Sequence, residues 1–501
     1  MPSSPLSLAK SNPMRHFLPI CLLTLALAGC SGTTPSAPWS DVFRQLNDEI
    51  VLHQQGYTAL GEATQTIGHR LTGSENGHKA EEFAADFLRK AGYDNVTFDP
   101  FEVSCWQRGK VRLFIESAED MQVFPCVALA HTPVKADTSA PLVWLGSGLS
   151  KDFEAVGTAA QGKFVLMSLQ LQPADSAAKN LHRSEKTALA IKAGAAGVIF
   201  INEVKTGEDI LLTGTCSTNG ELVKIPVVCV SKSTGALLRQ DLDAPVSSVL
   251  TIQMENSFEP VQARNVVARI EGRELPQETI LIGGHLDSWD LATGAIDNGL
   301  GSFTVLEVAR AFKALNLQPR RSIQFVMFMG EEQGLLGSKS LVTRMKEDGS
   351  LGSIRYMANL DMSGNADGFS FSGRKGEMEA WADSVGRMIA AIDTVFGNKN
   401  AYGAGLHSDH QHFLLQGVPV MGMVTDLDKS IYKCYHADCD TYELVNKTHM
   451  INGARFMAMM LYAIADAEKI PSQHLTEPQI KQFMVENGLQ EELEVAGLWR
   501  W

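Results

Sequence analysis

Seven residues of two chemical kinds stand in short polar stretches of this 501-residue chain: His285 and Asp287 in "GGHLDSWD", Asp297 in "GAIDNGLGS", Glu331 and Glu332 in "GEEQGLLGS", Asp361 in "NLDMSG" and His436 in "YHADCDTYELV". Imidazole nitrogen and carboxylate oxygen are ligands for divalent metal. The adjacent Glu331 and Glu332 close the apolar run "FVMFM", where an unpaired buried charge would be costly, so a cation is expected against them. Two histidines and three carboxylates suit two zinc ions that share one carboxylate, at a separation of roughly 3.5–4 Å. On this reading Asp297 bridges, His285 and Asp361 complete one ion, and Glu332 and His436 complete the other. Asp287 is placed to hold the second ring nitrogen of a ligating histidine. Glu331 is then left over as a general base that takes a proton from an activated water and passes it to a leaving amine. Tyr435, next to His436, is the expected donor to an oxyanion. In "HSDHQHF", Ser408, Asp409 and His410 are expected to border the substrate; the alternative is a capped helix start with solvated histidines, and His412 is read as structural.

The elements that must carry these residues alternate strictly. "ETILIGG", "RSIQFVMFM", "IRYMANL" and "VPVMGMV" read as strands, and "GLGSFTVLEVARAFKAL", "LGSKSLVTRMKE" and "EMEAWADSVGRMIAAI" as the helices between them. Such alternation predicts an α/β fold with a mainly parallel sheet flanked by helices, and in such sheets ligands bind beyond the carboxyl ends of the strands. His285, Glu331 and Asp361 each follow a strand. Earlier, "SENGHKAEEFAADFLRKAGY" reads as a helix capped by Ser74 and stopped at Gly92, and "VTFDPFEV" and "KVRLFIES" as separate short strands. Between residues 126 and 250 short β segments are separated by Gly and Ser turns, with one helix running into a strand in "EKTALAIKAGAAGVIFIN". This block is expected to be a mostly-β domain inserted between residues 40–125 and 251–470 of the main domain, with 471–501 as a C-terminal tail.

At the six stretches "GGHLDSWD", "GAIDNGLGS", "GEEQGLLGS", "NLDMSG", "HSDHQHF" and "YHADCDTYELV", in that order, the chain resembles the di-zinc exopeptidase family that includes bacterial aminopeptidases, carboxypeptidase Q and glutamate carboxypeptidase. The resemblance implies the same roles: His285, Asp297, Glu332, Asp361 and His436 as zinc ligands and Glu331 as base. It also implies a phosphorylase/hydrolase-like fold, a protease-associated domain as the insertion, and a cis peptide after Asp297. Two rivals come with the family: a non-catalytic binding module that has lost its metals, and a single-zinc enzyme that cyclises N-terminal glutamine. The motifs leave open whether an aminopeptidase, a carboxypeptidase or a dipeptidase is present.

The N-terminal "MRHFLPICLLTLALAGC" has a basic start, an apolar stretch too short to span a bilayer and a small-residue cleavage site, so residues 1–29 are expected to be a signal peptide. "LAGC" resembles a lipobox, which implies lipid on Cys30, residues 30–39 as a tether, and a lipoprotein of the bacterial envelope, exported to the outer membrane or periplasm. Six further cysteines in an exported chain predict disulfides between nearest neighbours, Cys105 with Cys126, Cys216 with Cys229 and Cys434 with Cys439, against the alternative of buried thiols. The last pair would stiffen the loop around His436. A net charge of −14 without basic clusters excludes nucleic acid as a partner. The expected partners are short peptides and, through the lipid, a membrane, with a homodimer allowed.

Overall fold

The computed structural model describes residues 38–501 apart from 117–119, 204–208, 243–247, 374–375, 426 and 429. The signal sequence, Cys30 and nearly all of the tether lie outside the described residues. In chain order the first strands are β1 (Thr97–Glu116), β2 (Met121–Phe124), β3 (Cys126–Ala128), β4 (Lys135–Trp144), β5 (Phe164–Ser168), β6 (Gly197–Asn202) and β7 (Val227–Ser231). They are followed by β8 (Val249–Ile270), β9 (Leu275–His285), β10 (Arg321–Phe328), β11 (Ile354–Asn359), β12 (Ala366–Ser372), β13 (Ala401–Tyr402) and β14 (Val420–Thr425).

The centre of the main domain's sheet is parallel, as the alternation requires: β9 pairs parallel with β10 and with β11, and β11 with β14. β10 is buried along nearly its whole length, which is why "RSIQFVMF" is apolar on both faces rather than alternating. The edges are antiparallel, β12 against β14 and β8 against β10. Helices Gly301–Ala314 and Lys447–Asp466 are buried nearly all round, the second along its whole "FMAMMLYAIA" run. Among the described residues no helix is long and apolar enough to cross a membrane. Helix Glu75–Lys90 begins as its sequence predicts, with the Ser74 hydroxyl accepting from the Gly77 amide at 3.0 Å.

The insertion is joined to the main domain through strands rather than through linkers. β1 and β8 pair antiparallel from Thr97 with Val267 to Ile115 with Leu250, and β8 also pairs with β4 at one end and β10 at the other. The two short strands expected around residues 96–117 are therefore one long strand. Its sequence is interrupted at a bulge between Gln107 and Lys110, where a side chain on Gly109 would overlap the Glu255 carbonyl. β4 then passes the pairing to a smaller parallel sheet of β4, β5, β6 and β7.

The cysteine expectation needs one correction. Cys434 and Cys439 form a disulfide, but Cys105, Cys126, Cys216 and Cys229 are free thiols. Cys105 faces the Thr72 carbonyl at 3.0 Å and Cys216 the Ala130 carbonyl at 3.1 Å, while Cys126 and Cys229 lie on β3 and β7. Burial pushes the thiols of Cys126 and Cys229 up to about 12. These are small core residues with weak hydrogen bonds.

Candidate metal centre and active site

The sheet delivers the polar residues to one edge. His285 is the last residue of β9, Glu331 and Glu332 follow β10, and Asp361 follows β11. Asp297 lies in the tight turn Ala295–Leu300 that leads into helix Gly301–Ala314. A side chain on Gly284 would collide with the Leu360 carbonyl, so this glycine lets the β9 and β11 ends approach. His436 comes from the loop after β14 and has a left-handed backbone (φ 56°), a conformation that must be imposed from outside on a residue with a side chain. The imposition comes from the insertion: the Thr213 amide donates to the His436 carbonyl at 3.0 Å, and the Thr213 carbonyl faces His436 Nδ1 at 3.3 Å.

The two histidines approach opposite oxygens of one carboxylate. His285 Nε2 lies 3.3 Å from Asp297 Oδ1 and 3.4 Å from Asp361 Oδ1, and His436 Nε2 lies 3.0 Å from Asp297 Oδ2 and 3.1 Å from Glu332 Oε2. Glu331 Oε2 is 3.8 Å from His285 Nε2. Two overlapping groups can each hold a cation: His285, Asp297 and Glu332, and His285, Glu331 and Asp361. Among the described residues, the buried atoms His285 Nε2, Glu332 Oε1 and Asp361 Oδ1 have no hydrogen-bond partner. Orphaned acceptors of this kind are costly in a protein interior. Divalent cations satisfy all three, so the residues fit a metal centre.

The electrostatics point the same way. Burial, reinforced by Asp361 and Glu332 against the pull of His285, holds the Glu331 carboxyl well above its ordinary range. Glu332 is pushed up to about 7 by burial and by Asp297, against the attraction of His436. Burial lowers His285, but Glu331 and Asp361 outweigh it and leave the imidazole well above its usual value. Burial raises Asp297, and the two histidines outweigh it to hold the carboxyl well below the usual range. Too many carboxylates share too little positive charge.

Around the cluster stand residues that hold it. Asp287 accepts from Thr72 Oγ1 at 2.9 Å and from the Glu331 and Glu332 amides at 3.3 Å. His285 Nδ1 is nearer to the Asp287 carbonyl (3.1 Å) than to its carboxylate (3.6 Å), so the histidine is fixed mainly by the backbone of Asp287 while the carboxylate fixes the glutamate loop. Asp440 accepts from the Ile296 and Asp297 amides at 2.7 and 3.0 Å. Asn298, joined to Asp297 by a cis peptide bond, donates to the Leu360 carbonyl and accepts from the Gly301 and Met362 amides, tying the Asp297 turn to the Asp361 loop. The buried guanidinium of Arg70 donates to the carbonyls of Leu286, Thr293 and Gly294.

Arg70, Thr72 and Asp440 are absent from the sequence reading, which has Asn298 only as the partner of Asp297 in the cis peptide. Asn298 and Asp440 lie inside stretches already singled out. Arg70 and Thr72 are isolated residues far upstream and carry no spacing signal.

A cavity of about 700 Å³ opens over the cluster. Tyr435 lines it, with its ring stacked on His436 at 3.8 Å between centroids, and burial pushes the phenol well up. The three residues expected to border the substrate separate here. Ser408 lines the cavity, but its hydroxyl donates to Asp361 Oδ2 and accepts from Asn359 Nδ2, both at 2.7 Å, so it braces a cluster residue. Asp409 does not face the cavity: it is wholly buried, burial pushes its carboxyl up to about 7, and neither oxygen has a partner among the described residues. The nearby Ser338 hydroxyl donates instead to the Leu335 carbonyl. His410 faces the Gly405 carbonyl at 3.1 Å and lines a smaller neighbouring cavity that meets the main one at Asp361 and Ser408. His412, read as structural, is on the wall of the main cavity. The insertion contributes Arg183 to that wall, its Nε donating to the Thr215 carbonyl at 3.1 Å.

A cluster of this composition at the carboxyl edge of a helix-flanked sheet, with a second domain over its mouth, defines a metallo-exopeptidase. Residues 265–461 match peptidase family M28, and residues 138–238 match the PA domain. The second part of the main domain is thus similar to that peptidase family, and the insertion to the PA domain. It is 26% identical to carboxypeptidase Q of Bos taurus over 419 residues, 83% of this chain and 86% of that protein. It is 25% identical to aminopeptidase YwaD of Bacillus subtilis over 472 residues, 91% and 96% of the two chains. A peptidase M28 precursor from Shewanella amazonensis shares the fold, with a TM-score of 0.74, 22% identity, and coverage of 88% of this chain and 99% of that one.

Proposed function

We propose that this zinc-dependent exopeptidase binds two zinc ions and hydrolyses short peptides with Glu331 as its base. The observation that carries the proposal is the division of Asp297, one oxygen toward His285 and the other toward His436. His285 with Asp361 would hold one ion, His436 with Glu332 the second, and Asp297 would serve both. When bound, the zinc ions supply Lewis acidity, lowering the pKa of a water toward about 7 and polarising the substrate carbonyl.

The chain supplies the rest. Glu331, held near His285 but outside the His436 pair, takes the proton from the water and returns it to the leaving amine, so the carboxylate is regenerated. Its burial makes it a stronger base than a solvated carboxylate. The Tyr435 hydroxyl donates toward the developing oxyanion, and the high pKa that burial imposes keeps it protonated for that task. Asp287 keeps Glu331 and Glu332 in register through their amides.

For the terminus that is read, the cavity favours a carboxylate. Of the wall carboxylates outside the cluster, Glu185 is paired with His407 and Glu492 with Lys179, whereas Arg183 and Lys339 bring positive charge to the wall. A peptide with a free C-terminus fits these charges better than one presenting only a free amine. We also propose that Cys30 carries a lipid that places the enzyme in the bacterial envelope; metabolic labelling with a fatty acid, lost in Cys30→Ser, tests this.

The test of the catalytic proposal is zinc content together with hydrolysis of dipeptides, N-acetylated peptides and C-terminally amidated peptides by the native protein and Glu331→Gln. The expected result is two zinc ions in both proteins, a loss of about 10²–10⁴-fold in kcat in the variant, and rejection of the amides. One zinc ion would favour the single-metal cyclase chemistry, and no zinc with no hydrolysis would favour a binding module.

A further inference from the structure

Residues 471–501 form a built wall of the substrate cavity. Helices Glu477–Glu486 and Gln490–Val495 bury Ile480, Met484, Leu489 and Leu493 in a core shared with Phe413, Leu414 and Leu415. The last turn is pinned at its end, where Arg500 donates to the Leu415 carbonyl at 2.6 Å and Trp501 Nε1 to Glu477 at 2.7 Å. From this base the chain reaches across to the insertion. Glu492 pairs with Lys179 at 2.7 Å, Glu491 accepts from the Ser150 hydroxyl at 2.6 Å, and Lys179 also donates to the Gly488 carbonyl at 3.3 Å. The Glu492 carboxylate is largely buried and Lys179 half exposed. Along this stretch Glu492, Leu493, Ala496, Gly497 and Leu498 line the cavity that contains Glu331 and His436. A second tie, His407 to Glu185 at 3.2 Å with His407 stacked on His182, joins the insertion to the loop before Ser408.

We propose that residues 490–498 end the substrate cleft and limit the enzyme to peptides of two or three residues. The proposal rests on the exopeptidase reading of the same site and adds what sets substrate length. A cavity of about 700 Å³ is about 9 Å across if its sides are equal, and an extended peptide advances about 3.4 Å per residue, so two to three residues fill it. A longer chain with its scissile bond at the cluster meets a wall fixed at both ends.

The experiment measures kcat/KM on a series of two-, three-, four- and six-residue peptides for the native protein, for a chain ending after Gly488, and for Ala496→Trp. Calorimetric binding of the same series to Glu331→Gln runs beside it. The native protein is expected to lose at least tenfold in kcat/KM between three and six residues. The shortened chain should raise the ratio of hexapeptide to dipeptide turnover at least tenfold, with thermal unfolding confirming that it folds. Ala496→Trp narrows the cavity without disturbing the core and should move the cut-off toward dipeptides; it carries the test if the shortened chain does not fold. A native protein that cleaves all lengths equally, or an unchanged length profile in Ala496→Trp, overturns the wall. Binding limited by length without hydrolysis of any peptide would leave the wall standing and overturn the peptidase reading.

Discussion

Stripping zinc from this protein should make it lose stability as the pH rises, and the size of the loss follows from the cluster. In the metal-free fold, burial and Asp297 raise Glu332 from the ordinary 4.5 to about 7. The folded chain therefore retains a proton that the unfolded chain has released. Wherever the folded state binds more protons, stability falls with rising pH. At about 1.4 kcal/mol per pH unit, Glu332 alone costs about 3 kcal/mol once the pH has passed about 7.

Glu331, also raised, acts in the same direction. So do His285 and His436: their folded values lie above the ordinary one, so their contribution is full at low pH and lost as the pH rises. Asp297 is lowered, and its favourable contribution is complete above the ordinary carboxylate range, so it does not alter the trend between pH 5 and 8. In the zinc-loaded protein the ligands have already lost their protons, and this penalty is removed. Urea denaturation of metal-free and zinc-loaded protein at pH 5, 6, 7 and 8 should show a stability gap that widens by about 2 kcal/mol or more across the series. A gap that stays constant from pH 5 to 8 would mean that these carboxylates are not gathered around the metal, and the site as described would be wrong.

Three further outcomes follow from contacts around the cluster. Ser408→Ala removes the hydroxyl that braces Asp361 and should weaken zinc binding about 10–100-fold in competition with a chromophoric chelator; an unchanged affinity would show that Asp361 is held by its strand alone. Arg70→Ala leaves the carbonyls of Leu286, Thr293 and Gly294 without their donor and should destabilise the protein by about 3 kcal/mol or more, read by denaturant unfolding. Replacing Cys434 and Cys439 together with serine should let the His436 loop relax, so that dialysis against a mild chelator removes one zinc ion sooner than the other; equal retention of both would assign the loop's rigidity to Thr213.

What could be read from the chain was what repeated or what conflicted. Glu331 and Glu332 stand where a buried strand ends, and two charges there demand a partner, so the doublet announced itself. The alternation from residue 275 onward made the parallel sheet and its carboxyl edge legible, and with them the neighbourhood of His285, Glu331 and Asp361. Residues acting singly over long distances were not legible: Thr72 meets Asp287 across 215 positions with no pattern to mark it. An even count of cysteines favoured disulfides, yet four of the six are free thiols, three of them buried. The helix Gly56–Thr66 was overlooked because "GYTALGEATQT" packs through glycine, alanine and threonine rather than through a periodic apolar stripe. The triplet Ser408, Asp409, His410 looked like one functional surface; in the fold Ser408 and His410 share the wall of the smaller cavity while Asp409 is turned into the interior.

The two long strands bear on how the molecule opens. Because β1 and β8 run unbroken but for one bulge from the insertion into the catalytic sheet, opening either half must strip hydrogen bonds from a ladder that the other half shares. Amide exchange along β8 should then report one cooperative block from residue 250 to 267, where a pair of linkers would have given two independent ones. The insertion consequently has little freedom to swing over the cleft as a door. Arg183, at the start of a helix, and Thr213, in a loop, are thus carried to the active site by a domain that the shared ladder ties to the catalytic sheet, and His436 takes its backbone geometry from that fixed neighbour.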